Sequence, residues 1–129
     1  MRLLLDAHAL LWWMLDLKDL SGKARKAIGD FNNDVFVSAA TTWEIATKFR
    51  IGRLPEAGPL VHSFRDNLRT LGFLELSISV EHAQRAGLLP GGHKDPFDRM
   101  LIAQAQTEGL TRQQGRGVRQ LSRSPFMVR

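Results

Sequence analysis

The sequence predicts an α/β domain built on a mostly parallel sheet, and three observations carry that expectation. A short apolar run from residue 2 closes on the carboxylate of Asp6, β-rich stretches alternate with segments of helical period, and turn signals separate the two. At 129 residues the chain has room for one domain with one core. Hydrophobic residues at 43% and charged residues at 24% exclude the disordered and collagen-like classes.

Each element follows from local chemistry. Residues 2–6 (RLLLD) have the pattern of a strand buried on both faces of a parallel sheet. His8 to Leu15 is apolar at nearly every position and predicts a buried or partner-facing helix. Ser21 is the expected N-cap of a helix that carries Ala24, Ala27 and Ile28 at helical spacing. After the Asn32-Asn33-Asp34 turn signal, Val35 to Ser38 predicts a second strand, and Ala39 to Ile51 a helix ended by Gly52. Pro55 and Pro59 punctuate a loop, after which Leu60, Phe64, Leu68 and Leu71 predict one continuous amphipathic helix. Phe73 to Ile78 alternates as a third strand, Ser79 caps a short helix through Leu88, and Gly91-Gly92 opens a loop. Pro96 to Glu108 is the last expected helix, with Asp95 at its N-cap, Pro96 at N1 and Asp98 completing a capping-box-like pair.

The net charge is +5 and the pI 10.4, values that by themselves suggest an anionic partner. Position changes that inference. Up to Leu110 the chain holds 13 basic and 13 acidic residues, so Arg112, Arg116, Arg119, Arg123 and Arg129 carry the whole excess. Residues 112–129 contain no acid and no regular period, the pattern of a poorly ordered basic tail whose arginines could still meet phosphate. There is no cysteine, hence no disulfide framework, thiolate metal site or cysteine nucleophile, and a cytoplasmic location is expected. Asp6 and His8 interrupt the apolar residues 3–15 and Asp16 follows, so neither a membrane span nor a signal-peptide core is expected.

In open parallel sheets, sites form beyond the carboxyl ends of the strands where strand order reverses. Asp6 ends the first strand, although it could equally cap the next helix. Glu44 is expected early in the helix after the second strand, near the same edge, where it could instead complement the helix dipole. Capping explains Asp95, whereas Asp98 is one acid more than a cap requires. Carboxylates ~4 Å apart repel by about 4 kcal/mol at an effective dielectric near 20, so a cluster of them needs a cation or shifted pKa values. An all-oxygen set without cysteine or paired histidines points to Mg²⁺, with Mn²⁺ as the second choice, and to phosphodiester hydrolysis.

LLLDAHALLWW at residues 3–13, VSAATTWEIATK at 37–48 and HKDPFDRMLIAQA at 93–105 jointly resemble the PIN-domain ribonucleases of the VapC toxin type, from about Arg2 to Thr111. The resemblance implies a PIN domain over residues 1–111, a three-layer α/β/α sandwich with a central mainly parallel sheet. It also implies Mg²⁺-dependent cleavage of RNA, homodimerisation and neutralisation by a VapB-type antitoxin. By position, Asp6, Glu44 and Asp98 match the family's metal-binding and catalytic acids, and Asp95 an accessory metal-binding acid. Ala7 stands where the family usually has threonine.

The departure lies after Thr111. Family members continue with an apolar strand, a fourth acid and a final short strand, whereas this chain has Arg112-Gln113-Gln114-Gly115-Arg116. The expectation is that strand and acid are both missing, as though the reading frame had shifted, leaving an exposed sheet edge and lower stability. That departure supports a competing function: a catalytically impaired PIN-like module that dimerises or docks antitoxin without cleaving RNA. A phosphatase with Asp6 as nucleophile is disfavoured, because Asp6-Ala7-His8 lacks the second aspartate two residues on. Trp12, Trp13 and Trp43 are expected in the core or a subunit interface rather than stacked on RNA. His8 is expected to pack or sit on a helix surface, His93 and Lys94 could touch phosphate, and Arg99 could pair with a carboxylate or meet substrate.

Overall fold

A computed structural model describes residues 1–15, 21–92 and 95–113. In chain order the described elements are β1 (Arg2–Leu5), α1 (Ala7–Met14), α2 (Gly22–Gly29), β2 (Asp34–Ser38), α3 (Ala39–Arg50), a 3-10 turn (Pro55–Ala57), α4 (Gly58–Val61), α5 (Phe64–Leu71), β3 (Leu74–Leu76), α6 (Val80–Leu88), α7 (Pro96–Glu108) and β4 (Thr111–Gln113). The strands form one sheet in the order β3-β2-β1-β4, every pair parallel.

β1 is central, and its three leucines are sealed on both faces. Successive side chains of a strand point to opposite faces. Accordingly Leu3 and Leu5 join one buried cluster with Leu10, Ile28, Val35, Val37 and Ile45, whereas Leu4 joins a second with Ala40, Leu101 and Leu110. Helices therefore cover both faces, which is the α/β/α sandwich that the family resemblance implied. All three leucines are at most 1% exposed.

The N-caps expected at Ser21, Ser79 and Asp95 form. Ser21 Oγ accepts from Ala24 N (3.0 Å), and Asp95 Oδ1 accepts from Phe97 N (2.9 Å). Ser79 and His82 form a reciprocal capping box in which His82 takes the place usually held by Glu or Gln. His82 is itself buried, with Nε2 2.8 Å from Glu108 Oε2, so the box also fastens α6 to α7.

Three expectations need correction. The amphipathic segment from Leu60 to Leu71 is not one helix: it breaks between Val61 and Phe64, where Ser63 takes φ −145° and ψ 50°. The Asn67 side-chain amide spans the break, donating to Pro59 O (3.1 Å) and Ser63 O (2.9 Å). Leu60 and Leu68 still enter the same core, so the apolar period survives the break. The third strand is shorter than Phe73 to Ile78, because β3 pairs with β2 on one side only.

The third correction is β4. A strand does follow Thr111, with Leu3, Leu4 and Leu5 in register with Thr111, Arg112 and Gln113. Backbone pairing supplies it without apolar side chains. Gly109 closes α7 at φ 68°, a conformation that favours glycine, and Leu110 N–H returns to Ala105 O (2.9 Å). That closure turns the chain onto β1. The edge of β1 is therefore covered, which removes the reason for expecting an exposed edge there. Residues 114–129, where the rest of the basic tail was expected, lie outside the described residues.

Leu5 is at the centre of this packing. Leu5→Ala is expected to lower unfolding free energy by roughly 2–5 kcal/mol in urea denaturation, through lost apolar contact and the cavity left behind.

Candidate active site

The chain runs from β1 to β2 to β3 in one direction and then returns to the other side of β1 to add β4. Strand order therefore reverses beside β1, and the crevice expected of a parallel sheet lies beyond the carboxyl ends of β1 and β4. Asp6 stands at that point. Its backbone N–H donates to Gln113 O (3.2 Å), tying the exit of β1 to the exit of β4. Its Oδ1 accepts from Ala9 N (2.8 Å), so the residue also caps α1.

Glu44 reaches the same edge by another route. Ser38, the last residue of β2, caps α3 by accepting from Ala40 N (2.9 Å), and one turn on Thr41 Oγ1 donates to Leu5 O (3.4 Å). Thr41 is fully buried and fastens α3 to the end of β1. The sequence reading missed this residue; a threonine at one-turn spacing before Glu44 was the available signal. Glu44 follows in the second turn of α3, not the first, so a dipole-complement role does not apply to it. It is 4% exposed, and its Oε2 is 2.7 Å from Lys48 Nζ.

The third acid comes from α7. Asp95 caps that helix, and Asp98, in its first turn, accepts from the Arg112 guanidinium (3.0 Å) on β4. That contact ties α7 to the same strand whose backbone meets Asp6. Arg99 faces elsewhere: its Nε donates to Ala86 O (3.0 Å) and its Nη2 to Leu89 O (2.7 Å), closing the end of α6. Trp43 is 62% exposed and meets Phe97 edge-on with ring centroids 5.0 Å apart, so it is not a core residue, whereas Trp12 and Trp13 pack against the core as expected. His8 is buried beside Trp12. His93 and Lys94 lie outside the described residues.

Asp6 thus follows β1 directly, Glu44 lies one turn beyond the Thr41 contact to Leu5 O, and Asp98 is paired with a residue of the strand beside β1, so the three acids come from three separate elements. Their side chains are engaged with the protein itself, and among the described residues no three His, Cys, Asp or Glu side chains form a group that could hold a metal ion. In kind the donors fit a hard divalent cation, being carboxylate oxygens with no sulfur. The protein's own cations, Lys48 and Arg112, are paired with two of the acids.

An apolar groove of about 440 Å³ opens nearby between α3, α5 and β3, with Trp43, Phe64, Leu68 and Leu76 among its walls. None of the four acids lines it.

The Glu44–Lys48 pair is almost wholly buried, with side chains 5% and 13% exposed. Removing one partner of such a pair costs roughly 3–5 kcal/mol, while replacing both can be nearly neutral. Lys48→Met is expected to destabilise the fold by about that amount, and the double variant Glu44→Gln/Lys48→Met to recover most of the loss in chemical denaturation.

Comparison with known proteins agrees with this architecture. Over 68 residues the chain is 37% identical to Ribonuclease VapC16 of Mycobacterium tuberculosis, a match that covers 53% of this chain and 47% of that protein. The chain is thus aligned to about half the length of that curated relative. The family model described as PIN domain matches residues 3–112, nearly the whole described sheet and its helices. With the sandwich and the reversal of strand order beside β1 in place, the chain belongs to the PIN-domain family.

Proposed function

We propose that this chain is an endoribonuclease of the VapC toxin type that hydrolyses RNA phosphodiesters with a divalent cation, Mg²⁺ or Mn²⁺. It works as a homodimer in the cytoplasm and is neutralised by a VapB-type antitoxin. The observation that supports this proposal is the PIN-domain match over residues 3–112, in a chain where Asp6 follows β1, Glu44 lies on α3 and Asp98 on α7.

Asp6, Glu44 and Asp98 would hold the cation, with Asp95 at the rim. A divalent ion bound there supplies Lewis acidity toward a phosphate oxygen and lowers the pKa of a coordinated water. The protein's own contribution is rigidity and charge. The Asp6 backbone is held by β4 and Glu44 is fastened through Thr41 and α3, so two of the three acids stand on elements that packing has already immobilised. The arginines beyond residue 112 add positive charge that draws RNA by its phosphates. Among the described residues no helix is long and apolar enough to cross a membrane.

A second reading, a PIN-like module that binds without cleaving, is favoured by one observation: Asp98 is already paired with Arg112. Cleavage of RNA by the purified chain with Mg²⁺, with Mn²⁺ and with EDTA decides between the two. Asp6→Asn is the informative variant, because asparagine can still cap α1 while losing the charge. Metal-dependent cleavage that falls roughly 10²–10³-fold in Asp6→Asn is the expected result. Cleavage that survives EDTA, or is equal in the variant, excludes the cation mechanism, and no cleavage under any condition favours the binding module.

A further inference from the structure

Arg112 is a basic residue where the resembling family continues with an apolar strand, and the fold carries it into the candidate site. It stands on β4 in register with Leu4, and its guanidinium reaches Asp98 Oδ1 at 3.0 Å. The two side chains are 19% and 29% exposed, so the pair is shielded more than an ordinary surface ion pair. We propose that Arg112 is a positioning residue that competes with the divalent cation for Asp98 and sets how tightly this chain takes the ion. This inference rests on the assignment of Asp98 as a cation ligand made above.

Three features support it. A guanidinium keeps its charge at any pH the fold survives, so Arg112 cannot step aside by losing a proton. Its position is tethered by the backbone pairing of β4 with β1, so it cannot drift far from Asp98. Its Nε is buried and makes no hydrogen bond among the described residues, so the pair with Asp98 is the charge-assisted contact that orients the group. A cation entering at Asp98 must therefore displace this contact and then tolerate a nearby positive charge.

The test uses the full chain and Mn²⁺ as the probe, with binding followed by calorimetry or electron paramagnetic resonance. Arg112→Gln is expected to bind Mn²⁺ roughly tenfold more tightly than the unmodified protein. Arg112→Lys should lie between, and Asp98→Asn should bind weakly and erase the gain when combined with Arg112→Gln. Unchanged or weaker binding by a folded Arg112→Gln overturns the proposal, as does a gain that persists without Asp98. Should Arg112→Gln fail to fold, nitrogen NMR of the unmodified protein replaces it. Added Mg²⁺ is expected to shift the Arg112 guanidinium signals and speed their solvent exchange, and signals that do not respond refute the competition. If neither the unmodified protein nor any variant binds Mn²⁺, the cation-dependent function fails as well. If the unmodified protein binds Mn²⁺ through Asp98 and Arg112→Gln gains nothing, only the role of Arg112 falls.

Discussion

The structure depends on the burial of Leu3, Leu4 and Leu5 in the strand β1. β1 is covered on both faces by helices and on both edges by parallel neighbours, so its backbone groups and its three leucines are all withdrawn from water. A strand so enclosed has one register that keeps Leu3 and Leu5 on one side and Leu4 on the other. Its carboxyl end is therefore a fixed point. Asp6 inherits that position, and the contacts that bring β4 and α3 to it, Asp6 N–H to Gln113 O and Thr41 Oγ1 to Leu5 O, are made to backbone atoms whose places β1 has already determined.

Charge is the second constraint. Glu44 is buried, and a buried carboxylate is tolerated only with a partner. Lys48, one helical turn later, answers it, and Arg112 answers Asp98 across the gap between α7 and β4. The edge of the sheet thus balances part of its negative charge with the protein's own cations. A nuclease of the proposed kind has to exchange some of that balance for a divalent ion, and the ease of that exchange separates an active enzyme from a module that only binds.

The helix starts were legible because capping is local: Ser21, Ser79 and Asp95 each need only the backbone N–H groups of the next two or three residues. The central strand was legible because a run of leucines ending in an acid fits few other environments. The break before Phe64 was not, since an apolar repeat continues across it and the bond that closes it comes from Asn67, a residue with no special pattern. The start of α3 was legible as well, since Ser38 at the very end of β2 caps it, and that start puts Glu44 in the second turn. Trp43 was expected in the core or a subunit interface, and only the packing excluded the core, since it lies exposed on α3 against Phe97.

The sequence by itself determined the α/β class, the buried first strand and the helix N-caps, because each is encoded by residues close together or by a pattern on one element. Only the tertiary structure decided that Thr111–Gln113 forms a strand, that Arg112 meets Asp98 and that Thr41 fastens α3 to β1. Those contacts join residues 14 to more than 100 positions apart in the chain. They arise from backbone pairing and charge brought together by packing, and neither leaves a periodic trace in the order of side chains.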